Sequence, residues 1–277
     1  MSFYKRLVKL LASFLAVIIL IGMVFGITFA FNSISYLFGT DSKYKNNIKL
    51  INEDIIDNID NFKFKINLEK TNVTIVESNE FNINTNNRNI NVDYDNNEII
   101  IEEKKMKLFN YTESYDMTIS VPNAFFKEVS IVSKSGNITI DKLMTNKLTL
   151  ETGAGKTVIK NLTVFKEANI SSGVGKLELS GNLINNMTLS SGVGESVINT
   201  VLAGNAYISS GVGNVYFNIN QGINHYHFNI KKGIGNVIID DKKQSDDKFG
   251  NGPYLIDISS GIGEVNFKFV DEEEDSN

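Results

Sequence analysis

The sequence contains no cysteine and no tryptophan, two prolines, two histidines and two arginines. Without cysteine there are no disulfides, no thiol nucleophile and no thiolate metal site. With arginine confined to Arg6 and Arg88 and a net charge of −5, the basic face that nucleic acid demands is missing. What remains is a chain of 277 residues, 42% of them hydrophobic, which suits one domain of moderate size with appendages.

Much of that chain repeats one phrase. ISSGVGKLEL from Ile170 returns as LSSGVGESVI from Leu189, ISSGVGNVYF from Ile208, IKKGIGNVII from Ile230 and ISSGIGEVNF from Ile258. LETGAGKTVI from Leu150 is a looser copy, and VSKSGNITI from Val132 an eroded one. The first glycines (Gly153, Gly173, Gly192, Gly211, Gly233 and Gly261) are separated by steps of 20, 19, 19, 22 and 28 residues. The second glycines are Gly155, Gly175, Gly194, Gly213, Gly235 and Gly263. A nearly constant step with a fixed turn is the pattern of stacked repeats.

On both sides of each Gly-Φ-Gly (Φ, an aliphatic residue) apolar and polar residues alternate, as in Ala168 and Ile170 before it and Leu177 and Leu179 after it. Period two marks a strand with one buried face. The glycines then form corners, where positive φ and close backbone approach exclude a Cβ. Independent hairpins do not require the same corner at every step, whereas stacked coils do, each leaving strand edges that the next one pairs. The expectation is an all-β, single-stranded β-helix or solenoid of two-strand coils, about 19–22 residues each. Thr157 and Ser196 stand where the other coils place an aliphatic residue.

Leu10 to Phe31 carries no charge, long enough for one membrane-crossing helix. Lys5, Arg6 and Lys9 precede it and the next charge is Asp41, so the N-terminus is expected in the cytoplasm and the bulk of the chain outside. A cleaved signal peptide needs an apolar region of about 7–15 residues, shorter than this one, so a retained single-pass anchor is expected. The chain thus divides into a cytoplasmic stub (1–9), the anchor (10–31), a polar stalk with one short helix (32–61), an irregular β lead-in or cap (62–130), the solenoid (131–270) and an acidic tail (271–277). The polar stretch 240–253 accounts for the long last step and reads as a solvated excursion.

NLEKTNVTIVESNEFNINTNN (67–87), the strand ending at Val121-Pro122, the serial Gly-Ala-Gly and Gly-Val-Gly corners and the late GNGPYLIDISSGIGEV (250–265) resemble a bacterial β-strand-repeat family of unknown function that carries an adhesin label. The resemblance covers roughly 60–270. It implies a surface-exposed β-helical domain on a membrane anchor and, in some relatives, a link to envelope-stress systems. It supplies no catalytic residues.

Other constellations have plainer readings. Gly153-Ala154-Gly155-Lys156-Thr157 ends like a phosphate loop, but Leu150 stands where that loop needs its first glycine. No repeat has the aspartate that calcium-binding coils place after their glycines. His225 and His227 share a strand face without a third ligand in view. Glu178 and Glu195 fall near glycosidase spacing if their coils are adjacent. Ser171, Ser190, Ser209 and Ser259, with Thr152, Ser172, Ser191, Ser210 and Ser260 beside them, form either hydroxyl ladders or partners for the corner backbone. No catalytic set, cofactor or metal is expected. The expected function is a non-catalytic, adhesin-like binding module of the cell envelope, with an envelope glycan or a membrane protein as partner. An accessory sensor acting through a membrane partner is the alternative, and a carbohydrate-active enzyme a weaker third.

Overall fold

The computed structural model describes residues 46–49, 61–95, 97–104, 114–122, 125–245 and 247–270. All belong to one contact unit, Tyr44–Met106 with Ser114–Asn277. The expected stub, anchor, acidic tail and most of the stalk lie outside them. Among the described residues no helix is long and apolar enough to cross a membrane. Within the stalk, Asn46–Lys49 form a strand.

In chain order the strands are β1 (Asn46–Lys49), β2 (Lys63–Leu68), β3 (Thr71–Ser78), β4 (Asn82–Thr85), β5 (Ile90–Asp95), β6 (Glu98–Glu103), β7 (Tyr115–Pro122) and β8 (Phe125–Ser135). They continue with β9 (Ile138–Ile140), β10 (Leu143–Thr200), β11 (Leu202–Ile219), β12 (Tyr226–Ile239), β13 (Lys242–Gln244), β14 (Lys248–Gly250) and β15 (Tyr254–Phe269). Together they form one all-β, solenoid-like open sheet. β10 winds through three levels, because the glycines that bend it, Gly153, Gly173 and Gly192, lie one upon the next.

The levels do not follow the chain throughout. From β8 onward, through β10 to β11, each level adds in parallel to the one before. At the C-terminal end, β15 slots between β11 and β12, pairing Ile208 with Ile258 on one side and Ile230 with Ile258 on the other. The level 226–239 is therefore outermost. At the other end β2 and β3 pair in parallel both with β8 and β9 and with β6 and β7. The segment expected to be an irregular lead-in thus contains two parallel levels, and the earlier of them in sequence lies inside the later.

Antiparallel strands cover both ends. β5 lies along β6, β4 along β7, and β1 along β4. The 240–253 excursion folds back over the last level, β13 on Val237–Ile239 and β14 on His227–Asn229. It is a cover rather than a free loop, and it occupies strand edges that otherwise invite pairing with another chain.

The alternation buries one face throughout. Aliphatic side chains fill the middle of the core and aromatic ones close its ends. Phe64 stacks on Phe126 at 4.9 Å near one end, and Phe228 on Phe249 at 4.7 Å at the other. Phe217 stacks on Phe267 at 4.4 Å, a contact that seats β15 directly on β11. Thr157 and Ser196 are buried despite their polarity, and Ser196 Oγ lies 3.0 Å from Ser191 Oγ, so the pair satisfies itself.

One corner without Gly-Φ-Gly is held by other means. At the turn between β2 and β3, Glu103 Oε2 accepts from the backbone N–H groups of Glu69, Lys70 and Thr71 at 2.9, 3.0 and 3.1 Å. Its Oε1 accepts from Asn87 Nδ2 at 2.9 Å. A buried carboxylate there supplies the acceptors that the next level's backbone supplies elsewhere.

Candidate functional site: a polar groove across the levels

The corner glycines occupy two columns with different physical causes. At Gly155, Gly175, Gly194, Gly213 and Gly263 φ lies between 131° and 141°. A Cβ there would fall 1.8–2.2 Å from the carbonyl oxygen of the glycine one level away. Gly153, Gly173, Gly192, Gly211, Gly233 and Gly261 do not have positive φ, and neither does Gly235. These are excluded from bearing a side chain by close approach alone, a Cβ meeting a neighbouring backbone oxygen at 2.0–2.7 Å. The residues between the glycines point outward: Val174, Val193, Val212, Ile262 and Ile234 are 48–79% exposed.

The two serine series separate. Ser172, Ser191, Ser210 and Ser260 turn inward and are buried at the corner. Ser171, Ser190, Ser209 and Ser259 face outward, and the register places Ser190 beside Ser209 and Ser209 beside Ser259. The first series serves the fold; the second lies on the outer face of the sheet.

On that same face two hollows follow one line. The first, about 290 Å³, is lined by Lys166, Glu167, Asn186, Thr188, Asn205 and Tyr207. The second, about 400 Å³, lies among His227, Asn229, Lys248, Phe249, Asn251 and Leu255. One lining residue of each is linked to the other, Leu255 N–H donating to Asn205 Oδ1 at 3.0 Å. Asparagines shape the bend beneath: Asn186, in the left-handed region at φ 46°, donates to Lys166 O at 3.0 Å and accepts from Asn205 N–H at 3.2 Å. Asn and Gly tolerate this conformation where β-branched residues do not.

The carboxylates at the groove have partners. Glu167 accepts from Asn169 Nδ2 at 2.9 Å and lies 3.9 Å from Lys147 Nζ. Asp257 accepts from Asn229 Nδ2 at 2.7 Å. By contrast the Tyr207 and Thr188 hydroxyls and Asn205 Nδ2 have no protein partner among the described residues. Tyr207 is 48% exposed and forms the wall of the first hollow.

The remaining candidates are placed as follows. Glu178 and Glu195 lie beyond the Gly-Φ-Gly corners from the groove, both bound by Lys176 Nζ at 2.8 and 2.9 Å. The hydrogen bond from Lys176, with Lys156 adding to it, holds the Glu178 carboxyl below its ordinary range, the wrong direction for a general acid. Lys156, the pseudo-phosphate-loop lysine, lies 3.4 Å from Glu178 on an ordinary corner. His225 falls in a short 3-10 turn, Ile223–His225, and His227 in β12, so they do not share a strand. Their Nδ1 atoms contact Gly222 O at 3.2 Å and Gly252 O at 2.7 Å. No cluster of three metal-ligating residues occurs among the described residues. Tyr207, Thr188 and Asn205 escape a reading of the sequence because outward positions of a strand accept any residue. The available signal is the strand phase they share with the outward serines.

The model of the domain family Toastrack DUF4097 matches residues 60–276. No curated protein matches the chain. Among solved structures, an adhesin-labelled protein from Bacteroides fragilis is 13% identical with a TM-score of 0.44, over 82% of this chain and 98% of that one. A protein from Clostridium sporogenes labelled for cell adhesion is 14% identical with a TM-score of 0.38, over 83% and 100%. An adhesin-labelled protein from Parabacteroides distasonis is 12% identical with a TM-score of 0.38, over 83% and 98%.

Proposed function

Because this chain belongs to the Toastrack DUF4097 family, which has no assigned activity, we propose from its own geometry that it is a non-catalytic binding module of the cell envelope. In this reading residues 1–9 are cytoplasmic, 10–31 anchor the chain, and the sheet is displayed outside the membrane. The observation that carries the binding role is the groove, where unengaged hydroxyl and amide groups and a half-exposed tyrosine line a shallow concavity on a rigid sheet. The best-placed carboxylate pair for hydrolysis is held by a lysine, which favours binding over cleavage.

The test uses the full chain in detergent micelles, incubated with envelope extracts. Wild type is expected to retain an envelope component that Tyr207→Ala loses and Tyr216→Ala, beyond the Gly211–Gly213 corner, keeps. Identical capture by all three proteins removes the groove from the function. Recovery of a membrane protein through Tyr207 instead favours the sensor reading.

A further inference from the structure

The geometry points to an uncharged, linear glycan as the occupant of the groove, laid along the stack so that successive sugars meet successive levels; this rests on the binding reading above. Four observations carry it. First, the unengaged groups are neutral donors and acceptors: Tyr207 and Thr188 hydroxyls and Asn205 Nδ2 in the hollow, with the outward Ser190, Ser209 and Ser259 alongside. These are the complements of sugar hydroxyls, and tyrosine with small polar residues gives contact area at little entropy cost.

Second, the first hollow, where the unengaged groups lie, is lined by one charge of each sign, Lys166 and Glu167, and Glu167 is also held by Lys147 and Asn169; Lys248 is the charged residue lining the second. Third, β5, β4, β13 and β14 lie over strand edges at the ends of the stack, β13 on Val237–Ile239 and β14 on His227–Asn229. A peptide adding as a strand finds its template at those ends and not on this face. Fourth, the side chains recur at the level spacing, about 4.8 Å. That interval is comparable with one pyranose unit in an extended chain, so one linear polymer can present hydroxyls to Ser190, Ser209 and Ser259 in turn. The Tyr207 ring offers the flat apolar surface on which a sugar's C–H face packs.

The full chain in detergent micelles is tested by biolayer interferometry against a panel of immobilised uncharged glucans, xylans and N-acetylglucosamine oligomers, with oligogalacturonate as the anionic control. At least one uncharged series is expected to bind, with affinity rising roughly tenfold or more from disaccharide to hexasaccharide as further levels engage. Tyr207→Ala is expected to lower hexasaccharide affinity by roughly tenfold. Ser190→Ala with Ser209→Ala gives a smaller loss, and Tyr216→Ala leaves affinity unchanged. All variants should keep the wild-type melting temperature, since the altered side chains face outward. Absence of binding across the uncharged panel, preference for the anionic control, or affinity independent of chain length overturns the assignment. If envelope capture still depends on Tyr207 while no uncharged glycan binds, the ligand class is wrong and the binding module stands. If capture is also independent of Tyr207, both fall.

Discussion

The order of the last two levels makes a prediction opposite to the order of the chain. Read along the sequence, the corner at Gly235 is sandwiched between those of Gly213 and Gly263, and Gly263 is terminal. In the structure Gly263 lies on Gly213 and Gly235 lies on Gly263, so Gly263 is enclosed and Gly235 is outermost. A Cβ at Gly263 would sit 1.8 Å from Gly213 O, with φ at 131° and levels on both sides preventing retreat. The backbone strain of a non-glycine residue there is about 1–3 kcal/mol. Separating the two levels locally loses about two ladder hydrogen bonds at about 1 kcal/mol each. Gly263→Ala should therefore destabilise by about 3–5 kcal/mol. At Gly235 a Cβ would lie 2.0 Å from Gly263 O, but φ is not positive and the outer level can lift. Gly235→Ala should remain at about 1–2 kcal/mol. Urea unfolding followed by far-UV circular dichroism measures both, and hydrogen exchange locates the loosened strands, since stacked repeats need not unfold in one step. If Gly235→Ala costs as much as Gly263→Ala, the level order described here is wrong.

Glu103→Ala leaves three backbone N–H groups at the β2–β3 turn without their acceptor and should destabilise by about 3 kcal/mol or more, with Glu103→Gln intermediate in the same urea titration. Burial, with Tyr254 adding to it, raises the Tyr226 hydroxyl well above a tyrosine's ordinary value. The unfolded chain then releases that proton first, near pH 10, so this contribution is intact below that pH and is lost as pH rises toward the folded value. Tyr226→Phe should lessen the alkaline loss of stability relative to wild type, although it also leaves Leu202 O without the hydrogen bond it receives at 2.8 Å. Replacing Lys242–Gln244 and Lys248–Gly250 with a Gly-Ser chain uncovers the edge of β12; sedimentation should then show concentration-dependent association that wild type lacks.

The repeating unit was legible from the alternation and the glycines. Period-two burial at Ala168, Ile170, Leu177 and Leu179, and a corner that admits no Cβ, follow from local sterics and need no distant contact. The parallel register of Gly194 beside Gly213 follows as well, because a one-residue slip would turn the apolar face outward. The groove was not legible. Tyr207, Thr188 and Asn205 occupy outward positions with no periodic constraint, and only the positions of neighbouring levels bring them round one hollow.

The order of levels was decided by the tertiary structure alone. Every repeat presents the same edge and the same corner, so β11 can pair equally with the level at 226–239 or the one at 254–269 as far as local pattern goes. Non-repeated contacts break that tie: Phe217 stacked on Phe267, Tyr226 reaching Leu202 O, and Phe249 covering Phe228 from the excursion. Sequence by itself determined the coil, its inside and its outside, because these depend on residues a few positions apart. Which coil lies on which, and what closes the ends, depended on aromatic and strand-edge contacts between segments far apart in the chain.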